Sequence, residues 1–240
     1  MNKGKILFFC VISELLIITA ISIANMFDGV MFGIFYNVLY GLVISTILPL
    51  LLVFTDKEDF SSLGIKKIDV RQIIVLIAFV AFSIGGQLIP KVIAGEYIAW
   101  PVLTLASAPL VMTTFFEEFL FRGFVQTRVE NNFGCIVAIL VSAIMFSVYH
   151  LGYPGFRTIG DIFLLFAVGL GFAIAYKLSD NNLIVSYFVN LPNAFVTYVF
   201  KSEQFPKFTV ESSIYAVITI LAVFIILIVS KTKIKRLTYK

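Results

Sequence analysis

Apolar residues run along this chain in blocks of about the 20 residues that one helical crossing of a lipid bilayer needs. Eight such blocks can be marked, at roughly 5–26, 30–54, 73–94, 102–130, 134–150, 160–178, 182–200 and 212–230. The fifth is short, and the fourth is apolar only as far as Phe121. A polar stretch, 55–72, separates the second from the third. No internal repeat or low-complexity tract interrupts the series. The pattern predicts an all-α polytopic membrane protein of about eight transmembrane helices, forming a single integral membrane domain over 1–240.

Composition sharpens this picture. Apolar residues make up 60% of the chain and charged ones 13%, with a mean hydropathy of +1.02. Soluble domains sit near 45–50% apolar and about 25% charged. A soluble fold of this length could not hide so much apolar surface. The two cysteines, Cys10 and Cys135, both fall in apolar runs and read as single thiols, not as a disulfide framework.

The formal charge of +4 is informative through its placement. Lys and Arg accumulate on the cytoplasmic side of membrane proteins. With the N-terminus inside and eight crossings, 14 of the 18 fall on the inner side; Lys91, Arg157, Lys201 and Lys207 make up the outer 4. The expected location is a bacterial cell membrane with both termini cytoplasmic. Lys3 and Lys5 ahead of an apolar run resemble a signal peptide, but the run is long and Glu14 sits in its middle, so it is read as a retained helix. No basic cluster is interleaved with aromatics outside the bilayer, so nucleic acid is not an expected partner.

Ionisable side chains inside a bilayer are costly, and each is a functional hypothesis. The fourth segment carries Glu117 and Glu118, followed by Arg122 and Gly123. On a helix Glu118 and Arg122 are neighbours at i,i+4, with the acid on the favourable side. Glu117 lies about 100° around the helix, pointing elsewhere and free to take a proton. The only histidine, His150, ends the fifth segment. A hairpin turn at 131–134 places Glu117 and His150 each roughly 25 Å from that turn at 1.5 Å rise per residue, the same depth on adjacent helices. On the seventh segment Ser186, Asn190, Asn193 and Thr197 form one polar stripe, read either as interhelical glue or as part of a site. Pro192 loosens the backbone there.

A glutamate, an imidazole and an amide in a partly dry cavity suit hydrolysis by an activated water. Glu117 is the candidate general base, His150 orients the water or shuttles the proton, and Asn190 donates to the oxyanion. Other intramembrane hydrolases are disfavoured by counting. Two histidines four apart are absent, and so is a pair of membrane aspartates. Ser147 lies three before His150 but without a Gly-x-Ser-x-Gly frame, and neither cysteine has a basic neighbour.

Glu117-Glu118-x-x-x-Arg122 followed by Phe146-x-x-x-His150 resembles the first two motifs of the CPBP (Abi, or CAAX-processing) family of intramembrane proteases, the glutamate-dependent branch that includes type II CAAX prenyl endopeptidases. The Phe121-Arg122-Gly123 continuation strengthens the match, and the likeness spans about 100–200. The resemblance implies an eight-helix bundle and an intramembrane endopeptidase acting on a peptide or lipid-modified peptide near the cytoplasmic face. It implies Glu117 as the water-activating base assisted by His150, Glu118 and Arg122 as support, and Asn190 as oxyanion donor. The family's third motif is His-x-x-x-Asn. Here it reads Ser186-x-x-x-Asn190, with serine in place of histidine.

Two other readings stand beside the protease. One is a catalytically weak or inactive relative acting as a bacteriocin-immunity or regulatory binding protein. The other is a small transporter with a proton path through Glu14, Glu117 and Asp161, which no inverted repeat supports. Glu14 itself is expected to be protonated or paired. No cofactor is implied, although Glu117, Glu118 and His150 leave a divalent cation open. The expected partners are the peptide substrate and membrane lipid.

Overall fold

A computed structural model describes residues 1–104, 107–202, 205 and 208–238. Lys207 and Lys240, counted in the charge distribution, lie outside the described residues.

Among the described residues eight long helices follow one another: α1 (Lys3–Ala24), α2 (Gly29–Thr55), α3 (Val70–Ile93), α4 (109–133), α5 (Cys135–Val148), α6 (Ile159–Leu178), α7 (Leu183–Lys201) and α8 (Val210–Thr238). Seven of them are long and apolar enough to cross a membrane. The eighth is α4, whose charged residues set it apart. The bounds differ most from the sequence reading at the start of α4, at Pro109 instead of near 102, and at the end of α8, at Thr238 instead of near 230. Proline at the first helical position is already set to helical φ and loses only a donor that would be unpaired there.

The helix starts follow local chemistry. Asn2 caps α1 by accepting from the backbone N–H of Lys5 at 2.9 Å. Asp69 and Gln72 form a capping box on α3. Thr158 caps α6, and the Asn182 side chain accepts from Ile184 N at 3.0 Å to cap α7. Between α4 and α5 the chain reverses at Gly134, whose φ of +88° suits a residue without a Cβ. This is the predicted hairpin.

Two helices depart from α geometry in their middles. Ile34–Ile47 of α2 and Glu118–Gln126 of α4 wind as π-helix, a geometry that is rare and concentrates at functional sites. Helix α4 is the axis of the bundle, packed by α2, α5, α6, α7 and α8, and every side chain from Glu118 to Gln126 is buried. Gly41 lets α2 approach α4 closely: a Cβ there would stand 1.9 Å from the Phe116 ring.

Large apolar side chains face outward instead. Phe8, Phe82, Phe163 and Ile93 are all exposed, as a helix bundle solvated by lipid requires. Helix α3 is the most peripheral; Gln72 is its one buried residue. Cys10 is buried and Cys135 half-buried, and both thiols are free.

Candidate active site

The polar residues that lipid would penalise are gathered around α4. Glu118 pairs with Arg122 at 3.2 Å, one turn on, and both are fully buried. Arg122 also donates from Nη2 to the carbonyl of Gly169 on α6 at 3.2 Å. Its guanidinium lies over the rings of Phe146 and Phe172, at 4.6 and 5.4 Å. An arginine plane stacked on aromatics and facing a carboxylate is well suited to a buried charge pair. The other oxygen of Glu118 accepts from the Ser186 hydroxyl on α7.

Glu117 does not point away from this group. The Asn190 amide donates to Glu117 Oε2 at 2.9 Å and to Glu118 Oε1 at 2.8 Å, so one side chain of α7 bridges the two acids. The change from α to π winding occurs between these two residues. Glu117 Oε1 accepts from the Tyr149 hydroxyl. Both oxygens of Glu117 are thus held by a donor, and with about four acceptor sites on a carboxylate each retains a free lone pair. An amide NH₂ has two hydrogens, so the two carboxylates engage all of the Asn190 donor capacity.

His150 sits in the single 3₁₀ turn that ends α5, Tyr149–Gly152. Its Nδ1 donates to the carbonyl of Phe146 at 2.7 Å. A carbonyl only accepts, so Nδ1 carries the hydrogen, and in the neutral ring Nε2 presents a lone pair. The ring is wedged between Tyr149, Phe146 and Phe156, with centroids at 4.1, 5.1 and 5.4 Å.

Glu117 and His150 line one cavity, together with Tyr149, Thr113, Tyr36 and Tyr153. Its water-sized room is about 30 Å³, above the 10–15 Å³ that one water needs. Ser186 and Asn190 are not among its lining residues. Leu110, Phe156 and Phe205 also line it, which places it at the end of the bundle opposite the Gly134 turn.

The α7 stripe divides. Ser186 and Asn190 serve the acids, whereas Asn193 Oδ1 accepts from Ser83 at 2.6 Å and from Gln87 at 2.7 Å on α3. Thr197 donates to Gln87 at 3.0 Å. The first half of the stripe bonds the two acids and the second half joins α7 to α3. Ser147 turns from His150 to donate to the carbonyl of Ile162. Asp161 lies at the start of α6, bonded to Thr158 and facing Lys201 at 3.9 Å. Both carboxylate oxygens of Glu14 are buried without a hydrogen-bond partner, so the pairing half of that expectation is not met. Among the described residues no three His, Cys, Asp or Glu side chains come together as a metal-holding group.

Sequence reading missed Tyr149, Tyr36, Tyr153 and Thr113. In an aromatic-rich chain single tyrosines read as packing. The available signal was their spacing: Tyr36/Tyr40, Tyr149/Tyr153 and Thr113/Glu117 are all four apart, so each pair shares one face.

Fold and site together define a polytopic helical membrane protein with a carboxylate–imidazole site buried inside it. Residues 98–196 match the family model described as type II CAAX prenyl endopeptidase Rce1-like, a stretch containing Glu117, Glu118, Arg122, His150 and Asn190. This is the resemblance read from the motifs. No curated protein matches the chain.

Proposed function

We propose that this protein is an intramembrane endopeptidase that hydrolyses a peptide bond in a membrane-associated or lipid-modified peptide. The observation that carries the reading is the shared, water-sized cavity of Glu117 and His150. A water there donates one hydrogen to a free lone pair of Glu117 and the other to His150 Nε2, leaving an oxygen lone pair for the peptide carbonyl. Glu117 takes the proton as the oxygen attacks, and returns it to the leaving nitrogen when the C–N bond breaks. Tyr149 and Asn190 hold the base in one orientation; Glu118 and Arg122 hold Asn190 and α7 in register. Burial supports this role, because electrostatic interactions strengthen where water is excluded.

The family match supports a protease of CAAX type and a prenylated peptide as one substrate class. The placement of the cavity at the end poor in Lys and Arg favours a peptide segment approaching from the outer half of the bilayer. The second reading, an inactive binding or immunity relative, draws on Ser186, which occupies the third-motif histidine position and is spent on Glu118.

The two readings separate on Glu117→Gln and His150→Ala, each checked for membrane insertion. A hydrolase loses about 10²–10⁴-fold of its cleavage rate without its general base, and loses the cellular phenotype with it. Full phenotype in either variant would overturn the hydrolase.

A further inference from the structure

With the donor hydrogens of Ser186 and Asn190 engaged by the acids, the residues of the third motif leave the oxyanion without a donor. The cavity wall offers another source. Tyr36 on α2 contacts Thr113 Oγ1 at 3.0 Å and the Tyr153 hydroxyl at 2.9 Å. All three are buried, at 1%, 7% and 4% exposure, and all three line the cavity. Three hydroxyls bring three hydrogens, and the two contacts among them use two. One hydrogen is left over, on a group whose open side is the cavity. A hydroxyl that accepts one hydrogen bond donates the next more strongly, so the chain polarises toward its free end.

The position also fits. Thr113 lies one turn before Glu117 on the same face of α4. The Tyr153 ring is 5.7 Å from the His150 ring and 6.0 Å from that of Tyr149, centroid to centroid. The hydroxyls therefore border the same water-sized space as the base and the imidazole.

We propose that the Tyr36–Thr113–Tyr153 hydroxyl cluster is the oxyanion-binding element of this site. The inference rests on the hydrolase reading above. As the water oxygen bonds to the carbonyl carbon, the C=O π pair moves onto oxygen, and the cluster's spare hydrogen bonds to that oxygen. The hydrogen stays on the cluster. When the C–N bond breaks, the oxygen pair re-forms C=O and the Glu117 proton goes to nitrogen.

The test uses the full chain in lipid vesicles with two fluorogenic peptides, one farnesylated near its C-terminus and one unmodified. Tyr→Phe removes the hydroxyl and keeps the ring packing. Tyr153→Phe is expected to lower kcat at least about tenfold. The double variant Tyr36→Phe/Tyr153→Phe is expected to lower it by about 10²–10³, as for loss of an oxyanion donor, with KM moved less than threefold. Thermal melting checks that each variant is folded, and Thr113→Val/Tyr153→Phe serves as a second pair. A double variant that is folded and within about threefold of wild-type kcat overturns the proposal. If cleavage depends on Glu117 and not on these hydroxyls, this inference fails alone. If neither peptide is cleaved by the wild-type protein, the hydrolase reading fails and takes this one with it.

Discussion

At the scale of single residues, charge and hydrogen count decide what each side chain can do. Arg122 balances Glu118 where neither meets water, and its guanidinium is further held by Gly169 and two phenylalanine rings. Removing one member of a buried pair leaves the other uncompensated, which costs about 3–5 kcal/mol. Arg122→Ala is therefore expected to lower thermal stability sharply in detergent. The double change Arg122→Met/Glu118→Gln, which removes both charges, is expected to lower it less; equal losses would mean that the pair is not coupled. Tyr149 donates to Glu117, and on the proposed mechanism it acts through that base. A hydrogen bond to a charged group contributes about 1.5–3 kcal/mol, so Tyr149→Phe is expected to cut kcat about 10–100-fold with the fold intact. Unchanged kcat would remove Tyr149 from the positioning of the base. Glu117, Glu118, Arg122 and His150 were all legible in the sequence, because a charge or an imidazole in an apolar run has few bland explanations. Tyr149 was not, because a tyrosine has many.

At the scale of elements, the α4–α5 hairpin and the α7 stripe carry the proposed site, and both could be read from spacing. Helical rise put Glu117 and His150 at one depth, and Gly134 supplies the expected reversal. What spacing could not give was winding. An ideal helix sends Glu117 and Glu118 about 100° apart, yet π geometry begins at Glu118 and both acids meet Asn190. Nothing in the local sequence announces that change. The contact between α2 and α4 depends on Gly41. Because Phe116 is fully buried, it cannot swing clear of an added methyl. Gly41→Ala is expected to destabilise by about 1–3 kcal/mol, the usual cost of overpacking, and Phe116→Leu in the same chain is expected to restore part of it. A neutral Gly41→Ala in thermal melts would show that the helices have room to separate.

At the scale of the whole molecule, apolar residues cover the outside of the bundle and also fill its core, and the acids, arginine and imidazole are set within that core. The number of helices followed from apolar block length alone. We propose, from the distribution of Lys and Arg, that the cavity mouth lies in the outer half of the membrane. In a chain lacking Cys10 and Cys135, Arg157→Cys, in the exposed segment after α5, is expected to react with a membrane-impermeant maleimide on intact cells, and Lys57→Cys is not. The reverse labelling would put the cavity on the cytoplasmic side. The proposed hydrolysis requires that His150 and Glu117, which line one cavity inside the bundle, share a water there. Because His150 is the only histidine, its ring nitrogens give unique signals in ¹⁵N NMR without assignment. The expected spectrum has the hydrogen on Nδ1 and a bare Nε2 whose signal moves in Glu117→Gln. A hydrogen on Nε2, with no response to Glu117→Gln, would contradict it.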